Sequence, residues 1–215
     1  MTTIDFYFDP ISPYAALAFE RLPEALAGRS VAVRYVPILF GAMLKSLDHK
    51  GPAEIPGKRD WTYRQVLWLG HRLGIPLDLP AAHPFNPLGL LRLLWATAEA
   101  GQTPNRHAVE RVLRHVWRGG EDGADPARLR ALTADLAPTR DPASDAVKNA
   151  LREATDAAIA RGVFGVPTMA VDDKLFWGLD AMDMLTAYLD GEAWFDGPGW
   201  TDAAQLPTGV TRSTR

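Results

Sequence analysis

The 215-residue chain contains no cysteine. That absence excludes disulfides, thiolate metal sites, cysteine nucleophiles and dithiol redox chemistry. No sign of charge dominates: 23 Lys and Arg stand against 26 Asp and Glu, for a net charge of -3. Nucleic-acid binding through a basic surface is therefore not expected. Long apolar runs are also missing. The most apolar stretch, Leu88 to Ala98, is broken by Arg92 and falls short of the roughly 20 residues a membrane span needs. Met1-Thr2-Thr3-Ile4-Asp5 has neither the basic start nor the apolar run of a signal peptide, so a soluble cytoplasmic protein is the expectation. There is no phosphate-binding loop, dinucleotide-binding glycine motif, HExxH pair or GxSxG elbow. His49, His71, His83, His107 and His115 have no ligand spacing, and no metal site is expected.

What is present reads as a globular α/β chain, with 47% hydrophobic and 23% charged residues. Ile4 to Phe8 is a strand closed by Asp9-Pro10, and Ser12-Pro13 opens a helix that ends near Gly28. Val31 to Val36 is a second strand, so the unit is β-α-β with parallel strands. Helices are predicted over Asp60 to Leu73, over Pro87 to Ala100 (apolar nearly all round, hence central), and from Thr103-Pro104, Asp125-Pro126 and Asp141-Pro142. Thr168 to Val171 and Lys174 to Trp177 flank Asp172-Asp173 as a hairpin, before a last helix carrying Met182, Leu185 and Leu189. The expected fold is a mixed sheet, β-α-β … β-β-α, with a large all-helical insertion. Residues 1–37 and 163–190 would form one discontinuous domain and 38–162 the insertion. Residues 191–215 would form a C-terminal tail, frayed from Val210 to Arg215.

Ser12 is the residue placed for chemistry. It ends a turn and opens a helix, where backbone N–H groups and the helix dipole favour an anion, a thiolate included. The alternative is that Ser12 only caps its own helix. His107 and His115, among Arg106, Arg111, Arg114 and Arg118, read as a solvated basic face. Lys58-Arg59-Asp60 reads as a solvated helix start, and Trp61, Trp68 and Trp95 as core rather than a substrate cage.

The residues Asp5-Phe6-Tyr7-Phe8-Asp9-x-x-Ser12-Pro13-Tyr14, Gly162-Val163-Phe164-Gly165-Val166-Pro167-Thr168 and Phe176-Trp177-Gly178-x-Asp180 closely resemble the 2-hydroxychromene-2-carboxylate isomerase family. That family lies in the DsbA-like and kappa-class glutathione transferase superfamily, which has a thioredoxin-like fold. Ser12-Pro13-Tyr14-Ala15 stands where the redox branch carries Cys-Pro-x-Cys. The resemblance runs from about Ile4 to Leu189 and is looser in the insertion, through Lys45, Lys58-Arg59-Asp60, Gly74-Ile75-Pro76 and Asn86.

It implies a cytoplasmic, homodimeric, glutathione-dependent isomerase of aromatic catabolism, with glutathione as cofactor and a small aromatic carboxylate as substrate. Ser12 would stabilise the glutathione thiolate, Val166 would pair its backbone with the tripeptide beside a cis Pro167, and Leu179, Asp180 and Ala181 would hold the γ-glutamyl end. Lys45, Lys58, Arg59, Phe85 and Asn86 would meet the substrate, the three cations forming a patch that faces the Ser12 end. Lys58 replaces a family asparagine and Phe85 a tyrosine. The rival readings are a kappa-class glutathione transferase and a non-catalytic thioredoxin-like binding module.

Overall fold

The computed structural model describes residues 1–210. The fraying expected of 211–215 lies outside the described residues. Thr2–Phe8 forms β1, Pro13–Ala25 α1 and Val31–Pro37 β2. The two strands pair in parallel, from Thr2 against Val31 to Phe8 against Pro37, as a β-α-β crossover requires. Thr168–Val171 (β3) and Lys174–Trp177 (β4) form the hairpin around Asp172-Asp173, with Asp172 at φ 52°. Because β3 runs antiparallel to β1, the sheet is mixed, in the order β2-β1-β3-β4.

Between β2 and β3 lie Phe40–Ser46 (α2), Lys58–Leu73 (α3), Leu88–Thr97 (α4), Arg106–Trp117 (α5), Pro126–Leu136 (α6) and Asp145–Ala160 (α7). Met182–Leu189 (α8) and Pro198–Thr201 (α9) follow the hairpin. Residues Ile4 to Phe8 of β1 are all buried, because helices cover both faces of the sheet. Alternation along the strand assigns the faces. Ile4, Phe6 and Phe8 pack with Phe19 of α1, Val112 and Val116 of α5 and Leu185 of α8. Tyr7 packs on the other side with Met43 of α2 and Val147 and Leu151 of α7. The apolar helix α4 joins the two cores, with Leu90, Leu93 and Leu94 in one and Leu91 and Trp95 in the other.

Several helix starts differ from the sequence reading. α5 begins after Asn105, whose side chain accepts from Ala108 N–H, and α7 begins after Ser144, which accepts from Val147 N–H. In each case the cap side chain, rather than the upstream proline, marks the boundary. α2 has no side-chain cap and carries no start signal. Trp61 and Trp68 are 63% and 58% exposed on the outer face of α3, so of the three tryptophans taken as core only Trp95 is buried. After Gly191, which opens a stretch without periodicity, Phe195 is buried against Phe176 and Tyr188, with Trp200 beside it.

Candidate active site

The loop Asp9 to Ser12 joins the end of β1 to α1, and its polar groups are held from several sides. The Asp9 carboxylate accepts from Ile11 N–H and Phe40 N–H, each at 3.0 Å. Asp9 is wholly buried, and burial pushes its carboxyl up to about 7 although the two backbone donors pull the other way. Ser12 N–H donates to the Asp9 carbonyl at 2.9 Å. Trp117 Nε1–H, from the end of α5, donates to the Pro10 carbonyl at 2.8 Å. His83, in the loop before α4, places Nε2 2.7 Å from the Ile11 carbonyl. Three of these contacts come from the insertion.

Ser12 is buried, with its backbone extended at φ -90° and ψ 116°. Its hydroxyl accepts from Ala15 N–H at 3.2 Å and donates to the Val166 carbonyl at 3.3 Å. Among the described residues no side-chain base lies within hydrogen-bond reach of the hydroxyl, which therefore has no group to activate it as a nucleophile. The first turn of α1 holds no acidic residue, leaving the positive end of the helix uncompensated. The Val166–Pro167 bond is cis. The Pro167 carbonyl accepts from Gly178 N–H at 2.9 Å, tying this loop to the end of β4. Gly165 lies against the Trp177 indole, where any Cβ would collide with the ring nitrogen.

Asp180 is exposed and folds over Gly178, at φ +98°, which has room only for hydrogen. It does not cap the helix that follows: Ala181 holds the cap position of α8 with no side-chain bond. Tyr14 on the first turn of α1 donates to Gln65 Oε1 of α3 at 2.7 Å. Burial raises the Tyr14 hydroxyl's pKa, and the Asp180 carboxylate adds to that shift. Tyr14 therefore stands between the insertion and the Asp180 corner.

The five proposed substrate contacts distribute unevenly. Arg59 lies over the Tyr63 ring, 5.2 Å from its centroid, and Tyr63 Oη is 2.8 Å from His83 Nδ1. This sequence of contacts ties Arg59 to the Ser12 loop. Lys45, at the end of α2, and Lys58, at the start of α3, are exposed, and among the described residues no hydrogen bond, ion pair or ring contact links them to that loop. Phe85 packs edge-on to the His83 ring. Asn86 is exposed, its Oδ1 accepting from Leu88 N–H at 3.1 Å.

The face expected to be solvated and basic is exposed at His107, Arg111 and Arg114, and its arginines are ion-paired: Arg111 meets Asp135, Arg114 meets Glu110 and Glu20, and Arg118 meets Glu20. His115 is half-buried with Nε2 3.2 Å from the Gly123 carbonyl, which it reaches as a donor. A cavity of about 370 Å³ lies there between α5 and α6, but its arginines are already neutralised and it contains no residue of the Ser12 cluster. Sequence reasoning missed His83, Tyr63 and Gln65. A lone histidine in a proline-rich loop carries no local signal, since its partners lie 20 and 72 positions away.

Residues 3–190 match the family model of the DSBA-like thioredoxin domain. The 2-hydroxychromene-2-carboxylate isomerase of Sphingobium xenophagum is 30% identical over 87% of this chain and 97% of its own. Human glutathione S-transferase kappa 1 is 29% identical over 91% of this chain and 93% of its own. A solved 2-hydroxychromene-2-carboxylate isomerase superposes with a TM-score of 0.75 at 25% identity, over 95% of this chain and all of the other.

Proposed function

We propose, for a chain that belongs to the DSBA-like thioredoxin domain family and to the 2-hydroxychromene-2-carboxylate isomerase branch within it, a glutathione-dependent isomerase acting on a small aromatic carboxylate. The observation that carries the reading is the Ser12 hydroxyl at the start of α1, facing the Val166 carbonyl beside a cis proline. Three features suit the tripeptide. Val166 offers backbone groups for strand-like pairing, the exposed Asp180 carboxylate suits an ammonium group, and a helix N-terminus with a hydroxyl suits a thiolate. Leu179 and Ala181 flank Asp180 and would shape that corner.

When bound, glutathione supplies the thiolate that adds to a conjugated substrate and is later eliminated. The residues of the chain do the rest. Ser12 turns its O–H from the Val166 carbonyl toward the sulfur and holds the anionic form. Arg59, with Lys45 and Lys58 as outer cations, meets the substrate carboxylate. Phe85 gives the ring an apolar wall, and Asn86, whose side-chain carbonyl accepts from Leu88 N–H, would offer its amide N–H groups as donors. A thiol cofactor favours the reducing cytoplasm as compartment. Homodimerisation completes the reading, with exposed Trp61, Leu67 and Trp68 along α3 as the apolar face supporting it.

The kappa-class relatives favour a second reading, in which the same site releases a glutathione conjugate. Product mass separates the two: an unchanged substrate mass means isomerisation, and added glutathione means transfer. The test of the site is the thiolate absorbance of bound glutathione against pH. A free thiol ionises near pKa about 8.5, and the bound thiol is expected to ionise at least about one unit lower. Ser12→Ala should return most of that shift and slow turnover without abolishing binding. No binding at millimolar glutathione would leave the non-catalytic module as the reading.

A further inference from the structure

His83 is not among the residues proposed to touch glutathione or substrate, although Phe85 and Asn86 share its loop, and it is bound to the peptide that precedes Ser12. A carbonyl oxygen only accepts, so the 2.7 Å contact with Ile11 places a proton on Nε2. In the neutral ring Nδ1 is then an acceptor, and the Tyr63 hydroxyl donates to it at 2.8 Å, with the His83 carbonyl a longer second acceptor at 3.2 Å. Burial and the nearby Arg59 guanidinium both disfavour the imidazolium, while the Ile11 carbonyl favours it. The rings of Tyr63, Phe85 and Trp117 surround the imidazole, with centroids 5.6, 6.1 and 5.4 Å away. The Ile11–Ser12 peptide is thereby held at both ends, its C=O by His83 and its N–H by the Asp9 carbonyl. Fixing that plane fixes the Ser12 N–Cα axis, so that φ alone, at -90°, sets the direction of the Cα–Cβ bond.

We infer that His83 is a positioning residue for Ser12, acting through the Ile11 carbonyl, and that Tyr63 selects the tautomer that makes the contact. The inference deepens the reading of Ser12 as the donor to a thiolate, and rests on it for its catalytic consequence alone. If Nε2–H is lost, the Ile11 carbonyl loses its partner, the peptide is held only through the Ser12 N–H on the Asp9 carbonyl, and the Ser12 hydroxyl is less firmly aimed at Val166.

The test begins without ligand. Amide hydrogen exchange is followed by NMR in the full chain for Ser12, for Ala15 (whose N–H donates to Ser12 Oγ) and for Phe6 in β1 as a reference. In His83→Leu the Ser12 and Ala15 amides should exchange about tenfold faster while Phe6 keeps its protection. His83→Gln, which still offers an N–H donor, should restore part of the difference, and Tyr63→Phe should give a smaller rise of the same pattern. The thiolate absorbance of bound glutathione is then measured in the same proteins. Its ionisation should move toward the free value in His83→Leu and lie between in His83→Gln, with binding affinity little changed. Unchanged protection at Ser12 and Ala15, or an equal loss at Phe6, overturns the positioning role. If the wild type binds no glutathione the functional reading fails, and the exchange data still decide the inference. Should His83→Leu not fold, His83→Gln against Tyr63→Phe carries the comparison, and no rise at Ser12 in either overturns it.

Discussion

Asp9 and Ser12 are three positions apart and do opposite work with burial. Ser12 is a neutral donor whose hydroxyl has both roles filled. Asp9 is an acid kept from water, with a folded pKa of about 7 against an ordinary 3.8. The sign of its effect on stability follows from linkage. As pH rises above 3.8 the unfolded chain releases the proton first, so stability falls with rising pH until about 7 and then levels. His83 acts the other way: its pKa is held below 6.5, so the unfolded chain takes up a proton that the folded chain refuses, and stability falls as pH drops through that value. A carbon-NMR titration of Asp9 should show a midpoint near 7. Unfolding of Asp9→Ala should lack the decline between 3.8 and 7 that the wild type has. A midpoint near the ordinary carboxylate value would remove the burial effect.

At the scale of elements, the insertion holds the loop that carries Ser12. Trp117 ends α5 with its ring in the core and its indole N–H on the Pro10 carbonyl. Trp117→Phe keeps most of the apolar contact and strands that carbonyl, so a loss of about 1–3 kcal/mol is expected in chemical denaturation. A loss well below that range would mean the carbonyl finds another partner.

These joints also mark what the sequence could reveal. The start of α1 was legible because Ser12-Pro13 places cap and first-turn proline side by side, and α4 because its apolar residues leave no polar face. The β-α-β … β-β-α order followed from strand composition and turn residues. The starts of α5 and α7 were misplaced because the prolines at 104 and 142 precede the side chains that cap, Asn105 and Ser144. The motifs around Ser12 and Asp180 marked the turn into α1 and the corner before α8, where the structure places them. The clamp was not legible: Trp117, His83 and the amide of Phe40 reach the loop through tertiary packing, which leaves no periodicity to read.

Across the whole molecule, the segment after α8 closes one core. Phe195 is 3% exposed and packs on Phe176, Tyr188 and Trp200. Phe195→Ala should cost about 3–5 kcal/mol, the usual range for emptying a buried phenylalanine site. Truncation after Gly191 should lower the midpoint of thermal unfolding at least as much. A truncated chain as stable as the full one would show that this aromatic cluster adds nothing to the core.

The bond from Ser12 to Val166 joins positions 154 residues apart, and β1 takes its second neighbour only from Thr168 onward. This has a consequence in time. During synthesis the apolar strand Ile4 to Phe8 waits with one edge open until nearly the whole chain has emerged, and an open apolar edge invites pairing with other chains. Closing the sheet and assembling the site are therefore one late event. In pulse-labelled exchange during refolding, amides of α5 and α7 should gain protection before those of β3, and nascent chains stalled before Thr168 should aggregate more readily than those released after Trp177.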